Sequence, residues 1–484
     1  MGAPFSYDLI LDFCYIAVLL LISITIRRYV PFFSKFRIPD AILAGLLGIV
    51  AGPSVLKIIP WNTDRLAAIV YHLMAIGFIA LSLKKSEVKD KAKTAFSGGF
   101  FTIASYGIQG FLGLAITLIL ILTLYPSLFP NFGFLLPLGF AQGPGLAGGM
   151  GHTWQTLPLP QTLVFADKTM PAGSSTFPNG TSIGFSFSTL GFLWACFVGV
   201  PLMNFLMRRR ARRGEPSPGL EGKPAAMLVE KERDFEGMSR SVDKASTQIM
   251  LVGVVYLGVY FMILGLTTLL TKAFPGNLAK NLNSLLWVLV FAFGALVGNL
   301  LTKLIDVLED KGILLKDKTR SNYILNHIGG ISVDFMIAAS IAAIDLRVFA
   351  DYVVPLLIVT TVGGVATIFY TWFFVSKVWP KTFVEHFLAF FGTQTGTVAT
   401  GMGLLRGVDP EFRTSAASDL VYGSGIAVIL GLPLLFMPAF LTEGYQMQKH
   451  NLYWITLAAT AGYTLLILLA WFIFFKLSNR KRKT

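Results

Sequence analysis

The chain has 484 residues, of which 54% are hydrophobic and only 14% charged, with 41 Phe and a mean hydropathy of +0.66. A soluble domain carries about 25% charged residues, and a polar-coated core has no room for this much Phe and Leu, so an integral membrane protein is expected. The formal net charge of +14 does not imply nucleic acid, because the basic residues flank apolar spans, as in FLMRRRARR from Phe205, where they act as a stop-transfer anchor.

A membrane-spanning helix needs about 20 apolar residues. In chain order such spans fall near 9–29, 39–57, 66–83, 95–125 and 182–207, then near 247–271, 284–307, 328–346, 352–377, 418–442 and 452–476. The first has its basic residues after the apolar core and no small-residue cleavage site, so it is read as a retained helix and not a signal peptide. Two further apolar segments, 134–157 and 384–405, are rich in Gly, Thr and Gln. Glycine costs about 1 kcal/mol against alanine in a helix, so both are expected as re-entrant hairpins or broken helices. The polar, Pro/Gly-punctuated stretch from Arg212 to Lys244 reads as a cytoplasmic linker. The chain thus divides into a first membrane repeat (1–211), the linker (212–245), a second repeat (246–445) and an extra C-terminal helix with a basic tail (446–484).

Basic residues stay in cytoplasmic loops. With the N-terminus outside, roughly 33 of the 40 Lys and Arg fall inside, including Arg27, Arg28, Lys35, Arg37, the run from Lys84, the arginines from Arg208, KDKTR from Lys316 and the tail. Lys57, Arg65, Lys168, Lys272, Lys280, Arg347 and Lys449 remain outside. Cys14 and Cys196 lie within expected spans and point to neither a disulfide framework nor a metal cluster. The sequon Asn179-Gly180-Thr181 is assigned no function.

The halves repeat. At an offset of 252 residues QGPGLAGGMG, from Gln142, lies over QTGTVATGMG, from Gln394; a second correspondence, at its own offset of 263, joins FIALSLK, from Phe78, to IAAIDLR, from Ile341. Each half holds five crossings before its last extra span, an odd number, so the second enters the membrane inverted. The expected fold is therefore an all-α integral membrane protein of two inverted-topology repeats. Each repeat carries a re-entrant glycine-rich hairpin whose tip meets the other near mid-membrane, and one C-terminal helix is extra. The spacing Gly143-x-Gly145-x-x-Gly148 is not a dinucleotide loop, since no strand precedes it and no charged residue occurs from Thr94 to Ala166.

RIPDAILAGLLG, from Arg37, resembles the Ile-Pro-acid signature of bacterial sodium/glutamate symporters, and NHIGGISVDFMIAASIAAIDLRVF, from Asn326, is similar to the helix opening their second repeat's core. The resemblance covers most of the chain apart from the linker and the last span. It departs at the first hairpin, where the family reads Gly-Gly-His-Gly and this chain QGPGLAGGMGH, and at Asp334, where the family has a small hydroxyl residue. It implies a carrier in the bacterial cytoplasmic (inner) membrane that moves glutamate or a related small organic anion together with sodium ions, with no resident cofactor.

The hairpins then supply the site. Gln142, Gly143, Gly145, Gly149 and Gly151 of the first, and Gln394, Gly396, Thr397, Thr400 and Gly401 of the second, are the expected substrate-binding residues, through backbone amides and side-chain oxygens. Thr393, Thr395 and Asp334 are the expected sodium ligands. Against this, a Thr in an apolar helix commonly bonds its own i−4 carbonyl, and Asp334 reads equally as a proton carrier or as a helix-end acid paired with His327 or a loop Lys. His152 reads as a hydrogen-bonded residue, and Arg406 as an ion-pair partner of Asp409. No His-Glu-x-x-His, Gly-x-Ser-x-Gly, Walker A or Cys cluster is present, so no enzyme is expected. A channel, which needs continuous polar rings, and a proton-coupled carrier are the alternatives. Gly45 and Gly48 in one helix, and Gly294 and Gly298 in another, permit the close approach a homodimer in the bilayer would use.

Cysteines placed at Ser174 and Ser217 are expected to react with an impermeant thiol reagent from opposite faces of the membrane, Ser174 outside and Ser217 inside. Labelling of both from one face would refute the threading.

Overall fold

The computed structural model describes residues 7–35, 38–84, 92–215, 238–273, 276–313 and 320–480. Arg37, most of the run after Lys84, most of the linker, residues 316–319 of the KDKTR loop and the last four residues of the tail lie outside them. The described residues are helical except for loops and one two-stranded ribbon, Leu163–Val164 with Thr169–Met170. Nine of these helices are long and apolar enough to cross a membrane, and a tenth is added if the two limbs of the last-but-one helix, bent by 51°, count as one span. The chain is a multi-pass helical membrane protein.

The first half contributes α1 (Asp8–Tyr29), α2 (Asp40–Ala51), α3 (Thr63–Ser82), α4 (Ala92–Thr123), α5 (Leu135–Phe140), α6 (Pro144–Thr156) and α7 (Gly180–Arg212). The second contributes α8 (Met238–Ala273), α9 (Asn277–Val288), α10 (Val290–Asp310), α11 (Asn322–Ala342), α12 (Val353–Val378), α13 (Phe383–Thr395), α14 (Val398–Leu405), α15 (Ala416–Gln446) and α16 (Asn451–Arg480).

Two expected spans need correction. The one at 39–57 is the 12-residue α2, about 18 Å at 1.5 Å per residue. It stops because Gly52-Pro53 follows: proline lacks the N–H that would continue the helix, and Trp61 folds back to donate Nε1 to the Gly48 carbonyl at 3.0 Å. The one at 284–307 is divided at Leu289, so α10 begins only at Val290 and the preceding residues belong to α9. Within α7 a π-turn at Ala195–Gly199 precedes Pro201, whose missing donor removes a rung of the helical ladder.

Contacts divide the chain into two compact units. One comprises Met1–Thr25, Asp40–Lys89 and Val229–Ala343, the other Ile26–Pro39, Asp90–Leu228 and Ile344–Thr484, so each draws helices from both halves. In the first unit the core gathers Ala75 and Ile79 of α3 with Leu83 just after it, Val255, Val259 and Ile263 of α8, and Leu286, Val290 and Leu325. Its α3 and α11 cross at Gly77 and Gly329, where the contact is reciprocal: a Cβ on Gly77 would lie 3.8 Å from the Gly329 carbonyl oxygen, and one on Gly329 3.7 Å from that of Gly77. Asp12 in α1 is buried and holds Arg65 at the start of α3, with Nε to Oδ2 at 2.6 Å and Nη2 to Oδ1 at 3.2 Å.

The four glycines read as available to a second copy are occupied within this unit. A Cβ on Gly45 or Gly48 would come within 2.5 or 2.6 Å of Ile341 or Ala342 of α11, and one on Gly294 within 2.7 Å of Ile79, with Ser82 filling the space at Gly298. They let α2 approach α11, and α10 approach α3.

The second unit is built around α4, which packs against α12, α15 and α16. Its core is aromatic: Phe101 meets Phe390 at 4.7 Å and Tyr370 at 5.1 Å between ring centroids, and Phe374 meets Trp471 of α16 at 4.4 Å. Where α4 passes the turn before α5, Gly113 and Gly133 touch backbone to backbone, each standing where the other's Cβ would be. Because backbone cannot move aside as a side chain does, Gly133→Ala is expected to destabilise by about 1–3 kcal/mol, read as a lower melting temperature in detergent. An unchanged melting temperature would refute the packing at this crossing.

Candidate functional site

Both Gly-rich segments are interrupted helices, and the second unit holds both interruptions. In the first, α5 ends at Phe140 and α6 starts at Pro144. Proline disfavours helical backbone in the residue before it, and Gly143 takes φ +83, the left-handed conformation glycine adopts without strain. In the second, α13 ends at Thr395 and α14 starts at Val398, with Thr397 as extended N-cap whose Oγ1 faces the Thr400 amide at 3.5 Å.

The interruptions meet. A Cβ on Gly143 would lie 2.8 Å from Thr397 Cγ2 and 3.8 Å from the Gly396 carbonyl oxygen. Two helix N-termini, of α6 and α14, and two helix C-termini, of α5 and α13, therefore converge on one small region. N-termini present free N–H groups and a partial positive charge, C-termini free carbonyls and a partial negative one. An anion and a cation can both be recognised there without a charged side chain.

The expected residues divide by position. The half-buried Gln142 and Thr397 and the buried Gly143, Gly145 and Gly396 stand at or next to the interruptions. Gly149 and Gly151 lie further along α6, and Gly151 is packed on the Gly180 backbone of α7. Gly401 is packed on Ala389 and Thr393 across the α13–α14 pair, and Thr400 is buried with its Oγ1 3.4 Å from that of Thr397. Thr393 and Thr395 donate their hydroxyls to the i−4 carbonyls of Ala389 and Phe391, both at 2.9 Å. Asp334 belongs to the other unit, exposed in the middle of α11 and not at a helix end, while His327 Nδ1 bonds its own helix at Tyr323 O, 2.8 Å.

Gln394 is fully buried, and neither atom of its carboxamide has a hydrogen-bond partner. Beside it stands a residue that the sequence reading passed over: Gln109 of α4, whose Nε2 donates to the Gln394 carbonyl at 2.9 Å. The available signal was a carboxamide in the middle of an apolar span.

Buried charge also escaped the reading. Arg210, inside the run taken as a surface anchor, turns inward to a bidentate pair with Glu385 of α13, 2.7 and 3.0 Å, with Glu385 fully buried. Next to it His386 Nε2 faces Asp419 Oδ2 of α15 at 3.1 Å, Nδ1 faces the Thr382 carbonyl at 3.0 Å, and Trp379 stacks on the ring at 4.5 Å. The N-terminal end of α13 is thereby tied to α7 and α15. Arg406 does not pair with Asp409: its guanidinium sits over the Phe412 ring at 5.4 Å, because Asp409 is engaged by the Arg413 and Thr414 amides and the Thr414 hydroxyl at 2.7–2.9 Å. His152 faces Thr181 Oγ1 at 3.4 Å. A groove of about 600 Å³ follows α7, lined by Val200 and Phe205 and then by Arg208, Arg209, Arg212 and Arg213.

Comparison with known protein families, with curated proteins and with solved structures finds no match for this chain.

Removing one partner of a buried ion pair leaves the other charge uncompensated and costs about 3–5 kcal/mol, whereas replacing both by apolar residues is often neutral. Glu385→Ala is expected to lower the melting temperature sharply, and Arg210→Met with Glu385→Leu to recover most of the loss. A double variant as unstable as the single one would contradict the pairing.

Proposed function

We propose that the chain is a secondary active transporter, a divergent relative of the bacterial sodium/glutamate symporters, that carries glutamate or a related small organic anion with sodium by alternating access. The observation that carries this reading is the meeting of the two helix interruptions, Gly143 against Thr397. Interrupted helices that offer their N-termini to an anion and their C-termini to a cation are the form such sites take in membrane carriers.

Inverted repeats with re-entrant hairpins account for more than the hairpins. Gly77 and Gly329, which contact each other reciprocally, are 252 residues apart, the same offset that superposes Gln142 on Gln394. Reciprocal contact between equivalent positions is the signature of a two-fold relation. The packing of α2 on α11 and of α10 on α3 repeats it, each helix of one half seated on the other half's partner. In this reading the second unit carries the substrate, and the first, which contains α2 and α10, is the static part through which a homodimer forms. The N-terminus lies outside and the C-terminus inside the bacterial inner membrane.

Uptake into proteoliposomes from a panel of amino acids and dicarboxylates, with and without a sodium gradient at equal pH, tests the reading. Sodium-driven accumulation of at least one anion is expected, with transient counterflow of label against an unlabelled internal pool, which a channel cannot produce. Gly143→Val is expected to reduce uptake more than tenfold, because the side chain would enter the space of Thr397. Failure of every anion would remove the assignment, and uptake that follows a pH gradient in sodium-free buffer would replace sodium by protons.

A further inference from the structure

The hydrogen bonds of Gln109 fix which way its carboxamide points. Nε2 donates to Thr367 Oγ1 and to the Gln394 carbonyl, both at 2.9 Å. Thr367 spends its own proton on the Gly363 carbonyl at 2.7 Å, so toward Gln109 it is an acceptor, and a carbonyl only accepts. Both partners demand the nitrogen. Oε1 is therefore turned away from them, and it is buried with no donor.

Three more buried side chains at this level have unpartnered polar atoms: Ser105, one turn before Gln109 on α4; Thr371, one turn after Thr367 on α12; and Gln394 on α13. The register places them together. Phe101 of α4 stacks on Tyr370 while Gln109 bonds Thr367, so α4 and α12 run antiparallel and Ser105 lies between these two contacts. Phe101 also packs on Phe390, one turn before Gln394. Helical side chains lean toward the N-terminus, which directs the Gln394 carboxamide back toward the level of Ser105. A buried polar group left unpaired is costly, and several on three facing helices mark a place built to hold a ligand.

We propose that Ser105, Gln109, Thr371 and Gln394 form a binding site for a dehydrated sodium ion in the second unit. Two carboxamide oxygens and two hydroxyls are hard, neutral ligands, and they suit a single positive charge. The site adjoins the C-terminus of α13, whose last carbonyls bear partial negative charge; one of them already engages Gln109. Thr393 and Thr395, the oxygens favoured by sequence, have their hydroxyl protons committed within α13. The remaining unpartnered donor, Gln394 Nε2, is left to face the transported anion. The assignment deepens the carrier reading and rests on it for the role of the ion, but its test does not require transport.

Equilibrium binding of radioactive sodium to the purified full chain, alongside melting in sodium, potassium or choline chloride, is the experiment. The wild type is expected to bind sodium and to melt higher in sodium than in choline, with potassium far less effective. Because the Gln394 side chain makes no hydrogen bond, Gln394→Met is expected to melt at or above the wild type in choline, yet to lose sodium affinity by about tenfold or more, the scale on which metal sites respond to a lost supporting group. Gln109→Met and Ser105→Ala should lose affinity in the same direction. Absence of sodium binding in the wild type, or undiminished binding in Gln394→Met and Gln109→Met, overturns the site. Binding that is lost in these variants, in a protein that transports no anion of the panel, upholds the site and removes the carrier reading instead.

Discussion

A helix interrupted inside an apolar protein exposes backbone N–H and C=O groups that lipid cannot satisfy, at several kcal/mol for each unpaired group. The rest of the second unit is arranged around this constraint. Its two interruptions face each other at Gly143 and Thr397, and the carbonyl of Gln394 is taken up by Gln109 from a neighbouring helix. Small residues around the interruptions bring the surrounding backbone close. Gly191 of α7 stands against the Thr395 carbonyl, and Gly139 of α5 against Phe187 and Ser188 of α7.

Holding an interruption in place also requires that its outer ends do not slide. At the far end of α13 two buried contacts, the ion pair of Arg210 with Glu385 and the hydrogen bond of His386 with Asp419, tie one helix to two others within successive residues. Buried pairs of this kind contribute little net stability compared with apolar side chains of the same volume. They do specify register, because a shift of one residue along α13 would separate both pairs at once. The aromatic layer of Trp379, Phe390 and Phe101 continues from His386 along the same helix toward Gln394.

Most helices were legible in the sequence because long apolar runs have few alternatives in a bilayer. The Gly-rich composition of 134–157 and 384–405 located both interruptions. What was not legible had a common physical origin: it depended on what a residue meets in three dimensions. Pro53 ended α2 early with help from Trp61, which arrives from beyond the loop. Arg210 sits among other basic residues, and only the position of Glu385 sets it apart. Arg406 and Asp409 are close in sequence, yet the Thr414 hydroxyl and local amides claim the carboxylate first. Gln109 has no motif around it, and its importance lies wholly in the carbonyl it reaches. The glycines of α2 and α10 were correctly read as sites of close approach, but composition says nothing about which helix approaches.

The packing of α16 on α4 bears on the order of assembly during synthesis. Thr464 fills the space beside Gly107, and Trp471 closes the aromatic core against Phe374. Since α4 emerges from the ribosome more than 300 residues before α16, its buried faces must wait in the membrane, covered by lipid or by the insertion machinery, until the last helix arrives. The unit that carries both interruptions cannot reach its final packing during translation of the first half, so its polar groups depend on temporary partners throughout that interval.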